Sequence, residues 1–269
     1  MRDITGLVAW VTGGGTGIGE GAAMALAQAG ATVVITGRRE APLQEVADRI
    51  TAAGGKVDIK PADLTDWPTV EATADTIRRE HGRLDVLVNN AGVNVPNRNW
   101  GVLDVESIDN LIDGNLRSAA YCTHAVLPIM REQGDGQLIH TASWAGRFIG
   151  PVSGPIYTAA KHGVVAMSHT INLEEGVNGI RSTVVCPGEV ATPLMAKRDP
   201  PEPPEIMAGM VQIEDMGEVI TFLVGQPKHV CINELVVSPT RNRGYQAMMQ
   251  GRKAQQDAVR TTPTDMQGA

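Results

Sequence analysis

Short apolar runs alternate along the chain with longer segments whose apolar positions repeat at helical spacing. The run LVAWVT enters the turn GGGTGIG, and the alanine-rich segment EGAAMALAQAG then ends at Gly30. A second uninterrupted apolar run, ATVVITG, follows. Uninterrupted rather than alternating apolar strands are typical of a parallel sheet that is covered on both faces. The N-terminal segment therefore predicts a strand, a helix and a second parallel strand.

The same alternation continues along most of the chain. Further helices are predicted at about 41–53, 68–80, 105–132, after Pro155 and 214–224. Further strands are predicted at about 56–60 and 84–90 and in the runs GQLIHTAS, IRSTVVCPG and INELVVSP. Seven strands that alternate with helices, without a linker rich in proline and glycine, predict one doubly wound α/β domain over residues 1–240.

Two segments depart from this alternation. Residues 197–210, KRDPPEPPEIMAGM, carry four prolines close together, so they are interpreted either as a flexible lid over a site or as a plain surface loop. Residues 241–269 form a polar C-terminal tail that lacks a periodic apolar face after about residue 250. The tail is predicted to be disordered or docked on a neighbouring subunit.

Composition narrows the classes of function. The formal net charge is −7, and no basic block is present, which argues against a nucleic-acid partner because phosphate binding needs clustered cations. No apolar stretch approaches the roughly 20 residues of a membrane span, and the N-terminal apolar run is too short for a signal peptide. The three cysteines are widely spaced in apolar surroundings, which favours a reducing, cytoplasmic compartment and no metal site.

The segment TGGGTGIG, residues 12–19, lies between a predicted strand and a predicted helix. In that context Gly13 permits a tight turn, Gly17 lets the backbone approach a pyrophosphate, and Gly19 allows close packing of helix and strand. The helix N-terminus adds amide donors and a positive dipole. The segment therefore predicts dinucleotide binding, and the alternative is a merely tight connection between strand and helix.

A tyrosine and a lysine lie four residues apart in IYTAAK, residues 156–161. On a helix Tyr157 and Lys161 share one face, where the ammonium group favours the phenolate and so lowers the pKa of the phenol. By itself this spacing is also typical of a chance pair. Ser143 follows the predicted strand GQLIHTAS and is placed to donate a hydrogen bond to a substrate oxygen, with Thr141 as the competing hydroxyl.

Gly114 and Asn115 lie inside the predicted helix 105–132, where this pair is expected to weaken the local hydrogen bonding. The alternative to a functional role is a simple kink. Asn115, Ser143, Tyr157 and Lys161 together are interpreted as a catalytic tetrad.

The chain resembles the short-chain dehydrogenase/reductase family. The resemblance rests on the spacing TGxxxGxG, on ADLTD around Asp63, on NNAG at 89–92, on the tetrad and on PGEVATP at 187–193. It implies a three-layer Rossmann-type fold with a seven-stranded parallel sheet, NAD(P) as cofactor, interconversion of carbonyl and alcohol, and a homotetramer or homodimer. It also implies that the tetrad asparagine holds a water that connects the lysine to solvent.

The resemblance further implies which residues contact the cofactor. Asp63 is placed at the adenine and Thr192 at the nicotinamide carboxamide, although Asp63 could equally cap the next helix. The full set of implied cofactor contacts comprises Gly13, Thr16, Gly17, Ile18, Gly19, Arg38, Arg39, Asp63, Leu64, Asn89, Ala91, Gly92, Tyr157, Lys161, Pro187, Gly188, Val190 and Thr192.

The end of the second predicted strand, VVITGRR, bears on the choice between NAD and NADP. Gly37 stands where NAD-preferring relatives carry an aspartate, and Arg38 and Arg39 follow it. A guanidinium can pair with a 2′-phosphate, so NADP is predicted, with Arg38 as the main contact. The alternative is that both arginines are merely solvated, and NAD is then the cofactor.

The substrate is left open by the sequence. Trp144, Phe148 and Met195 could form an apolar wall, and Arg98 or Arg147 could pair with a carboxylate. The ending INELVVSPT is more similar to relatives that act on small hydroxy acids, which favours a small polar substrate. A non-catalytic NADP-binding regulator and an interaction subunit are the alternatives from other classes.

Overall fold

The computed structural model describes residues 2–196 and 202–261. Its centre is a seven-stranded sheet in the order β3-β2-β1-β4-β5-β6-β7, and every neighbouring pair is parallel. The strands are β1 (Val8–Thr12), β2 (Thr32–Gly37), β3 (Lys56–Pro61), β4 (Val86–Asn89), β5 (Gly136–Thr141), β6 (Ile180–Pro187) and β7 (Glu234–Val237). The predicted seven-stranded parallel sheet of a Rossmann-type fold is confirmed.

Helices connect the strands, and most of their bounds lie close to those predicted. They are α1 (Gly17–Gln28), α2 (Glu40–Ala52), α3 (Trp67–His81), α4 (Val105–Ile112), α5 (Ser118–Gln133), α6 (Pro155–Glu175), α7 (Pro193–Ala196), α8 (Pro204–Ala208), α9 (Ile213–Val224) and α10 (Arg243–Thr261).

The core lies in two layers, one on each face of the sheet. Successive side chains of a strand point to opposite faces. In β1, Ala9 and Val11 pack with α1, α2 and α9, whereas Val8 and Trp10 pack with α3 and α5. The buried Trp10 indole donates a hydrogen bond to Thr36 Oγ1 at 3.0 Å, so its polar edge is satisfied. Both faces are therefore covered, as the uninterrupted apolar strands predicted.

The strand order reverses between β1 and β4, since β2 and β3 lie on one side of β1 while β4 to β7 lie on the other. The connections that leave the carboxyl ends of β1 and β4 therefore diverge to opposite faces. In open α/β sheets this divergence opens a crevice, which is where ligands bind. The fold thus places a candidate site beside the glycine loop after β1 and the NNAG turn after β4.

The predicted helix 105–132 is interrupted where the sequence indicated. Residues Asp113–Arg117 form one π-helical turn between α4 and α5. The turn buries Asn115, whose side-chain amide donates to Leu111 O at 2.8 Å. A π-bulge adds one residue to the helical turn and frequently marks a functional position. The expected weakening at Gly114 and Asn115 is confirmed.

The two irregular segments differ in part from prediction. Within the proline-rich segment 197–210, Pro204–Ala208 forms the short helix α8, while 197–201 lie outside the described residues. In the polar tail, Arg243–Thr261 forms α10, which the sequence did not predict. No helix in the described ranges is both long and apolar enough to cross a bilayer.

Candidate active site

The glycine loop is held against the NNAG turn by backbone and side-chain hydrogen bonds. Thr12 Oγ1, at the end of β1, accepts from the amides of Asn90 and Ala91 at 2.9 and 3.0 Å. Asn90 Nδ2 donates to the carbonyls of Thr12 and Gly13 at 3.2 and 3.4 Å. A Cβ at Gly19 would lie 2.2 Å from the Gly13 carbonyl oxygen, so this helix–loop contact requires glycine.

A cavity of about 370 Å³ opens beside this loop, at the carboxyl ends of the strands, where the reversal of strand order places a candidate site. Eight of the predicted cofactor residues line it, namely Gly13, Thr16, Arg38, Arg39, Asp63, Leu64, Ala91 and Gly92. It also reaches Gly37 at the end of β2 and Asn110, Gly114 and Ser118 on the interrupted helix. The structure therefore brings the glycine loop, the end of β2 and the turn after β4 together in one cleft.

Arg38 and Arg39 lie at the exposed end of the cavity, directly after β2. The charge of Arg38 contributes to lowering the pKa of Asp63, after the hydrogen bonds from Thr65. Among the described residues neither arginine is held in an ion pair. The cleft thus presents two cations beside one carboxylate.

Asp63 does not cap the following helix. Its Oδ1 accepts from the amide and the hydroxyl of Thr65 at 3.0 and 2.8 Å. The cap of α3 is Asp66, whose carboxylate accepts from Thr69 N at 3.1 Å. The helix-cap alternative for Asp63 was wrong because a second aspartate, three residues later, occupies the cap position.

Asn89 and Asn90 point in different directions. Asn89 is buried, and its Nδ2 donates to Thr123 Oγ1 at 3.0 Å and lies 3.3 Å from Nδ1 of the buried His140. Its side chain therefore braces the sheet against α5 and does not line the cavity, so its predicted place along the cofactor stays a prediction. Asn90, which binds the glycine loop, was not among the predicted contacts, although it lies in the NNAG motif.

The hydroxyls of the tetrad meet beyond the end of β5. Ser143 follows the strand by two residues, and its Oγ accepts from Ala145 N at 3.2 Å. Ser143 lies close enough to Tyr157, in the first turn of α6, for its hydroxyl to act against the rise in the pKa of the phenol. Gly154 is the N-cap of α6 and offers no side-chain cap of its own. The structure thus brings the predicted serine and tyrosine of the tetrad together.

Lys161 lies one turn further along α6 and is buried. Its Nζ donates to Thr141 O at 2.9 Å and lies 5.6 Å from the centre of the Tyr157 ring. A Cβ at Gly92 would lie 3.4 Å from this Nζ and 2.8 Å from Asn115 Oδ1. Lysine and asparagine therefore flank the same backbone position, and all four predicted tetrad residues converge.

Asn115 is fixed by the loop after β4. Its Nδ2 donates to Val93 O at 2.8 Å, and its Oδ1 accepts from Val93 N at 3.2 Å. A Cβ at the preceding Gly114 would meet a Val93 methyl at 2.7 Å, so the π-helical turn and this loop are in close contact. The interruption of the helix thus serves to seat the asparagine beside Lys161.

Burial is the largest influence on the pKa values of Tyr157 and Lys161. It raises the pKa of Tyr157, while the hydrogen bond with Ser143 and the charge of Arg98 act in the opposite direction. Burial also lowers the pKa of Lys161 to about 8. The lowering of the phenol pKa that was expected from Lys161 does not dominate, because desolvation of the phenolate is the larger effect.

The loop after β6 contacts the glycine loop. A Cβ at Gly17 would meet the Thr192 methyl group at 3.2 Å, so this loop touches the N-terminus of α1. Val190 forms an isolated bridge with Val211.

The remaining predicted cofactor contacts do not line the cavity, namely Gly17, Ile18, Gly19, Asn89, Tyr157, Lys161, Pro187, Gly188, Val190 and Thr192.

Two other sequence candidates, Arg147 and Thr141, have different surroundings. Arg147 forms an ion pair with Glu234 at 2.6 Å, so its charge is directed to β7. Thr141 Oγ1 is buried without a hydrogen-bond partner among the described residues, whereas Ser143 Oγ faces Tyr157. Ser143 is therefore the better-placed hydroxyl, as the sequence analysis ranked them.

The cleft suits a dinucleotide. The N-terminus of α1 lies at the glycine loop, where its backbone amides can bind an anionic group. Arg38 and Arg39 supply cations on the cavity wall, and the buried Lys161 supplies one beside Gly92, which also lines the cavity. The donor set thus matches a ligand with anionic groups along its length.

Fold and cleft together define a doubly wound α/β protein with a nucleotide-type site at the reversal of strand order. The chain belongs to the short-chain dehydrogenase family, whose model, described as "short chain dehydrogenase", matches residues 7–203.

Similar proteins carry oxidoreductase names. An uncharacterised oxidoreductase of Staphylococcus aureus strain USA300 is 34% identical over 241 residues, which cover 89% of this chain and 100% of the relative. Levodione reductase is 29% identical with a TM-score of 0.81, covering 90% of this chain and 99% of the other. A metagenomic short-chain oxidoreductase in complex with NADP is 30% identical with a TM-score of 0.77, covering 89% and 99%.

Proposed function

We propose that this chain interconverts a carbonyl compound and a secondary alcohol with NADP(H) as the cofactor. The observation that carries the proposal is the convergence of four side chains beyond β5: Ser143, whose hydroxyl acts on the pKa of Tyr157, and the buried Lys161 beside Asn115. A hydroxyl donor, a phenol and a buried cation next to a nucleotide-type cleft form a proton-transfer site. NADPH, when bound, supplies the hydride.

The side chains have separate roles in this proposal. Ser143 donates a hydrogen bond to the substrate oxygen, where negative charge develops. Tyr157 donates the proton, and its raised pKa keeps it protonated at neutral pH, as carbonyl reduction requires. Lys161, with a pKa lowered to about 8, is still mostly charged at pH 7 and stabilises the phenolate that remains. Asn115 orients the loop beside that ammonium group.

The preference for NADP is supported by the position of Arg38 and Arg39 on the cavity wall and by the absence of an acidic residue at Gly37. A carboxylate there would repel a 2′-phosphate, whereas a guanidinium binds one. The NADP complex of the metagenomic relative is consistent with this choice. Subunit assembly, the cytoplasmic location and the division into residues 1–240 and a tail stay predictions.

The proposed function is tested with Tyr157→Phe, which keeps the ring and removes the proton. Reduction of a panel of ketones and aldehydes is followed by the loss of NADPH absorbance. Because general acid catalysis contributes about 10²–10⁴-fold, kcat is expected to fall by at least about a hundredfold, with the Kd for NADPH unchanged. Tyr121→Phe is the matched control, since Tyr121 packs on Trp67, away from the tetrad.

Two results would contradict the proposal. Full activity of Tyr157→Phe would remove the phenol from the proton-transfer step. A wild-type protein that binds NADPH tightly but reduces no carbonyl in the panel would instead favour the non-catalytic regulator.

A further inference from the structure

We propose that the start of α10 is part of the substrate site: Arg243 holds the loop after β6 in place, and Tyr245 extends an aromatic wall that begins beside Ser143. The inference rests on the proposed carbonyl chemistry of Ser143 and Tyr157. It assigns a role in substrate selection to the C-terminal helix, which the polar composition of the tail did not indicate.

Arg243 joins three parts of the chain. Its Nε donates to Glu189 Oε2 at 2.7 Å, and its Nη2 also bonds the other oxygen of that carboxylate. Its Nη1 and Nη2 donate to the two oxygens of Glu202, each at 2.9 Å. These partners raise the pKa of Arg243, so it stays charged throughout the accessible pH range. One guanidinium therefore binds two carboxylates, each through both oxygens.

The two carboxylates belong to segments that frame the cleft. Glu189 lies in the loop after β6, three residues before Thr192, which touches Gly17 at the glycine loop. Glu202 lies two residues before α8. The amide of Val211, just beyond α8, donates to Glu189 O at 3.1 Å. A tie from α10 to both segments therefore restrains the loop after β6 and the residues before α8.

Tyr245 makes the second contact of the helix. Positions i and i+2 lie about 200° apart around a helix, so Arg243 and Tyr245 leave α10 on different sides. The Tyr245 ring meets the Trp144 ring edge-on, with centroids 5.5 Å apart. Trp144 also packs on Phe148 at 4.3 Å, and its carbonyl oxygen accepts from Phe148 N at 2.9 Å. Three of the nine aromatic residues of the chain are thus gathered in one cluster.

The aromatic wall consists of Trp144, Phe148 and Tyr245. Its position indicates a role in substrate binding. Trp144 directly follows Ser143, whose hydroxyl lies close enough to act on the pKa of Tyr157, so the wall begins one residue from the proposed site of proton transfer. Phe148 is 43% exposed and Tyr245 54% exposed, so ring surface is available to a ligand. Aromatic rings prefer other flat apolar groups. The wall therefore favours a ketone that carries an aryl ring over a linear one, which differs from the small polar substrate that the sequence ending suggested.

The arginine tie is tested without reference to catalysis. In the full-length protein, Arg243→Ala should raise amide hydrogen exchange by roughly tenfold in peptides from 188–196 and 202–211, because those segments lose a shared anchor. Arg252→Ala removes the same charge from an exposed position on α10 and should leave these peptides unchanged. Equal exchange in the wild type and Arg243→Ala would overturn the proposed tie, whatever the activity of the enzyme.

The wall is tested with two ketones of nine carbons, propiophenone and 2-nonanone, and NADPH. Tyr245→Ala should lower kcat/KM for propiophenone by about tenfold and leave 2-nonanone almost unchanged, since it removes a ring–ring contact. Tyr245→Phe keeps the ring and should retain the wild-type preference. Equal losses on both ketones, or none on either, would contradict a selecting wall.

Other results would show that the proposed carbonyl chemistry, rather than the aromatic wall, is wrong. If the wild type reduces neither ketone, the carbonyl chemistry is in doubt, but binding of propiophenone in the presence of NADP can still be followed by saturation-transfer NMR. Weaker binding by Tyr245→Ala would support the wall in that case, and unchanged or absent binding would reject it.

Discussion

Arg38 sits at the exposed end of the cavity, beside Asp63, and its guanidinium is the group that would meet a 2′-phosphate. A charge-assisted hydrogen bond contributes about 1.5–3 kcal/mol, so Arg38→Ala should lower kcat/KM for NADPH by roughly 10- to 150-fold. The value for NADH should change little, because NADH has no phosphate there. Steady-state kinetics with both cofactors measures the ratio.

Two further variants sharpen this prediction. Arg39→Ala shows which of the adjacent arginines reads the phosphate. Arg49→Ala removes a cation that is paired with Glu20 and does not line the cavity, so it controls for overall charge. An unchanged NADPH to NADH ratio in both Arg38→Ala and Arg39→Ala would show that the two arginines are merely solvated, which is the alternative left open by the sequence.

At the scale of single residues, the spacing of two residues along one helix predicted the site better than the identity of the residues at the end of a strand. Tyr157 and Lys161 are four residues apart on one helix, so their shared face follows from helical geometry. Asn89 and Asn90 differ by one position, and a shift of one residue reverses the direction of a side chain. The sequence therefore could not show that the first is buried against α5 while the second binds the glycine loop.

At the scale of elements, α1 and α9 are in backbone contact through two glycines. A Cβ at Gly217 would lie 2.4 Å from the Gly21 carbonyl oxygen and 2.9 Å from Ala25 Cβ. Because backbone cannot yield as a flexible side chain does, Gly217→Ala should lower the free energy of unfolding by about 1–3 kcal/mol. Urea denaturation followed by circular dichroism measures the change.

Gly251 provides the matched control on another helix. A Cβ there would meet nothing within 4 Å, so Gly251→Ala should be neutral or stabilise the protein by up to about 1 kcal/mol through helix propensity. A Gly217→Ala protein as stable as the wild type would mean that the two helices can separate without loss, and the close approach of α1 and α9 would not matter for stability.

The elements that the sequence predicted well are those whose pattern is local. Strands such as β1 and β2 consist largely of uninterrupted apolar runs, and the glycine loop marks where the first helix begins. The C-terminal helix α10 has no such pattern, because its polar surface carries few apolar positions. Its contacts are made by Arg243 and Tyr245 with residues that are distant in sequence, and tertiary contacts of this kind override local propensity.

At the scale of the whole molecule, the centre of the sheet holds an ionisable group that water does not reach. His140, on β5, is fully buried between Asn89 on β4 and Val184 on β6. Asn89 Nδ2 lies 3.3 Å from its Nδ1, while Nε2 has no hydrogen-bond partner among the described residues. Burial, with a smaller contribution from the charge of Lys161, lowers the pKa of His140 to about 4.

This histidine links the stability of the fold to pH. Between its ordinary pKa of 6.5 and the folded value of about 4, the unfolded chain binds more protons at this position than the folded one. The stability that neutral His140 provides is therefore fully present above pH 6.5 and is lost as the pH falls towards 4. The difference between the two pKa values corresponds to about 3 kcal/mol, a substantial part of the 5–15 kcal/mol typical of a domain.

His140→Gln removes the titration while leaving an oxygen that can accept from Asn89. We expect the free energy of unfolding to fall between pH 6.5 and 4 by about 3 kcal/mol less in this variant than in the wild type, even if the variant is less stable at neutral pH. Urea titrations at several pH values measure both slopes, and His229→Gln, at an exposed position, should follow the wild type. Parallel curves for wild type and His140→Gln would show that the buried imidazole does not make the fold sensitive to acid. A group with the same pKa in the folded and unfolded states does not change the free energy of unfolding with pH.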